Sequence, residues 1–204
     1  MRVAIAGKGG VGKTTLCAAL AREIADPGRR ILAVDCDPNP NLAESFGLDS
    51  TLLDRFEAEG GLRPVPGTLA LAREPVICEV EPGLWLLGGP PSGAPLADAV
   101  ARGIAGVLLA DRFDGVITDL GAGPELARVA VGGVLNPADV CLILTDGRPA
   151  AELAAGRIED ACRAREVEFR RVEVERDRVA SLAVPLAGEL LAADRPSSPP
   201  AQDP

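Results

Sequence analysis

The segment Gly7-Lys8-Gly9-Gly10-Val11-Gly12-Lys13-Thr14 constrains this chain more than any other. It fits G-x-x-x-x-G-K-[ST] and lies between an apolar run, Arg2–Ala6, and a stretch from Lys13 to Ala25 with Leu16, Leu20 and Ile24 at helical spacing. Strand, glycine loop and helix in that order bring consecutive backbone N–H groups onto one anion, in conformations that a Cβ would obstruct. The helix then presents its positive N-terminal end to the same charge. In such a loop Gly7, Gly9, Gly10, Val11 and Gly12 supply main chain and Lys13 bridges the β- and γ-phosphates of a nucleotide. The Thr14 hydroxyl ligates Mg²⁺ and Thr15 reaches an α-phosphate oxygen.

The rest of the chain reads as an alternation of strands and helices. Asp26-Pro27-Gly28 ends the first helix, and Arg30–Asp35 is a continuously apolar strand of the kind buried in a parallel sheet. Short helices are expected over 41–58, a Gly/Pro-rich connection over 60–75, and two strands over Pro75–Val80 and Leu84–Leu87 around a Pro82-Gly83 turn. A second loop, Gly88–Pro95, precedes an Ala-rich helix at about 96–110. Further strands are expected at Asp114–Asp119 and Asp139–Leu144, helices at about 124–135 and 149–166, then a charged edge strand. Val179–Val184 reads as the last strand and Pro185–Ala192 as the last helix. The expectation is an α/β, doubly wound, mostly parallel sheet forming one domain over residues 1–194. The Pro/Ser-rich residues 195–204 form a disordered tail.

Composition narrows the chemistry. The 204 residues carry a net charge of −9, which argues against holding DNA or an anionic membrane by bulk charge. No signal segment or apolar run long enough to span a bilayer is seen, so a cytoplasmic protein is expected. Histidine is absent, removing imidazole from metal ligation and proton transfer. Five scattered cysteines, without a C-x-C or C-x-x-C pair, read as small buried apolar residues. The two lysines, Lys8 and Lys13, are the only ones among 21 basic residues, and both fall in the glycine loop. A compact ammonium is evidently required there and a wide guanidinium elsewhere.

Acidic residues follow two of the strands. Asp119 closes DGVITD beside the loop, where a carboxylate holds Mg²⁺ directly or through water. In the following Leu120-Gly121-Ala122-Gly123-Pro124, the main chain of Gly121 and Gly123 is free to meet a γ-phosphate and to sense its loss. Asp35-Cys36-Asp37-Pro38-Asn39-Pro40-Asn41-Leu42 follows the second strand, and its prolines restrict the loop to few backbone states. Read by itself, this segment is equally an Asx-rich turn capping a helix near Asn41.

GKGGVGKTT resembles the deviant phosphate loop of the MinD/ParA/nitrogenase-iron-protein class of ATPases. That resemblance implies an ATP-hydrolysing homodimer in which Lys8 reaches the nucleotide held by the partner subunit. The segment from Asp35 to Leu42 is similar to the class's first switch, D-x-D-P-x-x-N-L. By that match Asp37 orients or deprotonates the attacking water and Asp35 supports the Mg²⁺ shell, with Asn41 in the nucleotide site. RVAIAGKGGVGKTTL, DCDPNPNLAESFG and PGLWLLG look most like the ATPases that mature nickel carbon monoxide dehydrogenase, which implies a metalloenzyme client. The likeness covers roughly residues 1–150. DLGAGPE approximates the second-switch pattern D-x-E-A-G-x-E-H, with Gly121 in place of the acid.

Other family marks are missing. Gly89–Pro95 has no C-x-C pair, so nickel or zinc binding does not carry over. The adenine-reading N-K pair is absent near Phe169–Val172, and Pro185-Leu186-Ala187 is all that matches the base-contacting P-x-D turn. Three alternatives therefore stand beside the maturation ATPase. One is a positioning or partition ATPase, for which the chain shows neither a basic DNA-binding face nor a membrane helix. Another is a nucleotide-gated interaction module with little turnover, and a small-molecule kinase is more distant.

Overall fold

The apolar run ending in Gly7 is an interior strand of the seven-stranded sheet formed by the described residues. The computed structural model describes residues 1–37, 39–48, 77–88, 110–121 and 138–194. Its strands are β1 (Arg2–Gly7), β2 (Ile31–Asp35), β3 (Ile77–Glu81), β4 (Leu84–Leu87), β5 (Gly115–Asp119), β6 (Val140–Thr145) and β7 (Phe169–Glu173). They are ordered β3-β4-β2-β5-β1-β6-β7, parallel throughout except for the β3–β4 hairpin. The helices among the described residues are α1 (Lys13–Ile24), α2 (Leu42–Ser45), α3 (Pro149–Arg163) and α4 (Ala183–Ala193).

Alternation along each strand divides the core into two layers. Val3 and Ile5 of β1, with Ile31, Ala33, Ile117, Leu142 and Leu144, pack under α1 and α4. Ala4 and Ala6, with Leu32, Val34, Cys141 and Ile143, face α3 on the other side. Both faces are covered, which is why β2, β5 and β6 are buried at every position. The small residues of β1 let α3 approach the sheet closely. All five cysteines are buried.

One strand expected from the sequence is a helix. Val179–Val184 does not extend the sheet: Val179–Leu182 is a 3-10 turn running into α4, and the last strand is Phe169–Glu173, parallel to β6. The β-branched Val179 is used for packing rather than pairing, since it is buried against the phosphate loop. The helix expected over 149–166 stops at Arg163, and Glu166 takes a left-handed φ of 57° as the chain turns into β7. The helices expected at about 96–110 and 124–135, most of that over 41–58, the 60–75 connection and the tail lie outside the described residues. Among those described, no helix is long and apolar enough to cross a membrane.

The charged stretch after Arg157 clamps α3 to the outer strand. Arg171 of β7 pairs with both Glu152 and Glu159 of α3, and Glu159 also receives Arg163. Thr145 at the end of β6 donates to Glu152. These donors hold both carboxyls below the ordinary glutamate range: Glu152 chiefly through Thr145, Glu159 chiefly through Arg171. Because the folded carboxyls titrate below the unfolded ones, this stabilisation is complete above the ordinary value of 4.5 and is lost as pH falls through the depressed values. Arg171→Leu is expected to lower the melting temperature at neutral pH, with the difference narrowing as pH falls below the ordinary glutamate value. Thermal melts at neutral and at acid pH check this, and an equal deficit at each would mean that packing, not charge, holds the strand.

Candidate nucleotide-binding site

The order of strands places a crevice where β1 ends. β1 is flanked by β5 on one side and β6 on the other; the chain passes from β1 to β2 on the β5 side and later from β5 across to β6 on the other. In open parallel sheets that point, beyond the carboxyl ends of the strands, is where ligands bind. The glycine loop, Asp35, Asp119 and Thr145 all lie at carboxyl ends of neighbouring parallel strands.

Close approach shapes the loop itself. Gly7 has φ 146°, and a Cβ there would meet the Leu144 carbonyl oxygen at 2.6 Å. Gly12, at φ 96°, lies under Val179, whose methyl carbons stand 2.8 and 3.0 Å from where its Cβ would be. Gly12 caps α1 with no side-chain hydrogen bond, and no acidic residue occupies the first turn. The helix therefore offers its initial N–H groups and its positive end to something outside itself. Thr14 is half-buried and Thr15 exposed at this end, while Lys8 is half-buried and Gly9 and Gly10 are exposed. Lys13 is only 5% exposed; its Nζ lies 3.4 Å from the Lys8 carbonyl oxygen. Burial lowers its pKa, and the nearby carboxylates of Asp119 and Asp37 oppose that shift.

Two carboxylates sit beneath the loop. Asp35 and Asp119 are direct partners in the register of β2 and β5, each 1% exposed. Burial pushes Asp35 up to about 7, and Asp119 adds to the rise. Both Asp35 oxygens are engaged: one accepts the Asp37 N–H and the other the Leu42 N–H, each at 3.0 Å. Asp35 thereby fastens both ends of the loop that carries Asp37. That role is invisible in a motif, although two carboxylate oxygens set two and seven residues before backbone donors form an Asx-type anchor. Asp37 in turn accepts the Asn39 N–H, and Asn41 is exposed and donates to the Asn39 carbonyl. Asn41 precedes α2, as the capping reading expects, but makes no side-chain cap.

Asp119 differs from Asp35. Neither of its oxygens has a hydrogen-bond partner. Burial raises its pKa to about 6; the Thr14 hydroxyl and the Lys13 ammonium pull the other way, and neither closes a hydrogen bond to it. A buried carboxylate with no donors is costly unless a cation completes it. The oxygen donors Thr14 and Asp119 beside an anion cradle suit Mg²⁺, which keeps waters and takes phosphate oxygens rather than an all-protein cage. Asp35, Asp37 and Asp119 do not form a cluster of three able to hold a metal, and no other such His, Cys, Asp or Glu cluster occurs among the described residues.

The loop after β5 meets the loop after β2 at Gly121. A Cβ at Gly121 would stand 2.6 Å from Asp37 Cγ and 2.8 Å from its Cα. Glycine is thus needed where the family pattern has an acid, because Asp37 occupies that space. Pro185 lies exposed in the first turn of α4. Gly123, Pro38 and the 89–95 segment lie outside the described residues.

Asp119→Asn removes a buried charge whose burial the Lys13 ammonium and the Thr14 hydroxyl offset only in part. It is expected to stabilise the nucleotide-free chain by about 1–3 kcal/mol, raising its melting temperature by several degrees, and to weaken Mg²⁺-dependent nucleotide binding. Calorimetry with and without Mg²⁺ tests both halves.

Comparison with known proteins agrees with this geometry. A model of the CobQ/CobB/MinD/ParA nucleotide binding domain matches residues 3–183. Over 74 residues the chain is 43% identical to the carbon monoxide dehydrogenase accessory protein CooC of Rhodospirillum rubrum, a match covering 36% of this chain and only 26% of that protein. The chromosome-partitioning ATPase Soj of Thermus thermophilus is 32% identical over 229 aligned residues, covering 97% of this chain and 90% of Soj. Among solved structures, the septum site-determining protein MinD of Pyrococcus horikoshii, complexed with Mg-ADP, superposes with a TM-score of 0.59 at 19% identity. That superposition covers 89% of this chain and 76% of MinD. The chain belongs to the CobQ/CobB/MinD/ParA nucleotide-binding domain family.

Proposed function

We propose that this protein is an Mg²⁺-dependent ATPase that works as a nucleotide-gated homodimeric switch, and that its output is the maturation of a metalloenzyme. The observation that carries the nucleotide reading is Asp119, buried and without a donor, facing Lys13 and Thr14 at an uncapped helix end.

In this reading the main chain of residues 9–13 and the Lys13 ammonium hold the triphosphate, with binding energy spent on charge that develops during transfer. Thr14 and Asp119 hold Mg²⁺, which when bound neutralises charge between the phosphates. Asp37, held in position by Asp35 and packed on Gly121, orients the attacking water. The main chain of Gly121 and Gly123 responds to the γ-phosphate, so its loss is transmitted to both switch loops. Lys8 serves the nucleotide of the partner protomer. Pro185 borders the base. Burial lowers the Lys13 pKa, and the carboxylates of Asp119 and Asp37 oppose that shift.

The maturation reading is supported by the local likeness to CooC, which spans about a quarter of that protein. The full-length likeness to Soj supports a partition ATPase as the second reading. Charge favours the first: at −9 the chain has little to offer a phosphate backbone.

Lys13→Ala is expected to abolish ATP binding and nucleotide-dependent dimerisation, read by titration and by gel filtration with a non-hydrolysable analogue. A wild-type protein that stays monomeric at saturating analogue would remove the sandwich. Asp37→Ala is expected to bind ATP but lose turnover, and Gly121→Ala to do the same more mildly through displacement of Asp37. ATP-dependent binding to DNA would replace maturation by partition as the function.

A further inference from the structure

The phosphate loop has a neighbour from far along the chain. Beyond β7 the segment Val174–Arg178 turns back across the loop and delivers Val179 onto Gly12. On the way it places Arg176 over the loop's exposed apex, with Nη2 3.9 Å from the Cβ position of Gly10. Gly10 has φ 77° and no side chain to fill the gap.

Among the described residues, Arg176 lacks the carboxylate partner that many arginines of the same region have. Arg148, Arg163, Arg170, Arg171 and Arg178 each pair with a carboxylate. The preceding acid, Glu175, is held by Arg178 at 3.4 Å. Arg176 is exposed and has no acidic partner among the described residues. A guanidinium left unpaired beside main chain that gathers an anion is placed to share that anion, and its planar fork matches phosphate oxygens.

We propose that Arg176 is a phosphate-binding residue of this site, donating to the polyphosphate of a nucleoside triphosphate from the solvent side while Lys13 acts from the buried side. The inference rests on the nucleotide reading of the loop. It adds a cation from the outer edge of the sheet, so that nucleotide ties the β7–α4 segment to the loop. A contact with the base is disfavoured, because the nearest part of the loop is the glycine main chain that holds phosphate.

The test measures affinity of the full chain for a ribose-labelled fluorescent ATP analogue with Mg²⁺, at low and at high NaCl. Wild type, Arg176→Ala, Arg176→Lys and Lys13→Ala are compared, with melting temperatures as a control on folding. Arg176→Ala is expected to raise Kd about tenfold at low salt, with a smaller difference at high salt where an exposed charge is screened. Arg176→Lys should fall between, and neither should change the melting temperature. An unchanged Kd in Arg176→Ala, or a loss equal at both salt concentrations as base stacking would give, overturns the assignment while Lys13→Ala still reports on the loop. Wild type that binds no better than Lys13→Ala would instead overturn the nucleotide reading, and this proposal with it.

Discussion

Two buried carboxylates in adjacent register dominate the energetics of this fold. Asp35 and Asp119 end neighbouring parallel strands side by side, so each raises the cost of ionising the other. The chain resolves the conflict asymmetrically. Asp35 is satisfied by two backbone donors of the loop that follows it, whereas Asp119 receives none. One acid is consumed in shaping a loop, and the other is left as a demand for positive charge. Lys13 and the uncapped start of α1 both answer that demand. A nucleotide site is therefore built into the sheet before any loop detail is considered.

The central part of this arrangement is legible in the sequence because it rests on short-range rules. A glycine loop between an apolar run and an amphipathic stretch has one good structural solution, and β1, the loop and α1 appear where that solution puts them. The continuously apolar strands are equally plain, since burial on both faces leaves no alternation to misread. What escapes the sequence depends on contacts across long separations. Val179–Val184 has the composition of a strand, yet packing on Gly12 holds Val179 in a 3-10 turn. The anchoring role of Asp35 depends on where Leu42 returns. The need for glycine at 121 depends on Asp37, from another strand entirely. Ion pairs along 157–178 could be foreseen as a balanced charge pattern, but not the sharing of Arg171 between two turns of α3.

The loops after β2 and β5 are linked by contact rather than by proximity alone. Asp37 is fastened from below by Asp35 and from the side by Gly121, which gives it little freedom to move independently. A displacement of either loop must therefore be felt by the other, the behaviour expected of tightly packed, bistable elements. The segment after β7 closes the same unit from the opposite side through Val179.

The outermost strand has a further bearing on how the protein behaves in company. Among the described residues β7 ends the sheet, with no strand on its outer side. Arg170, Arg171 and Glu173 crowd that border with charge, and the first two are pinned to helices by carboxylates. A second sheet could add itself there only by stripping those pairs apart. Association through sheet extension is thereby discouraged, and crowding in the cell works in favour of contacts made elsewhere on the molecule.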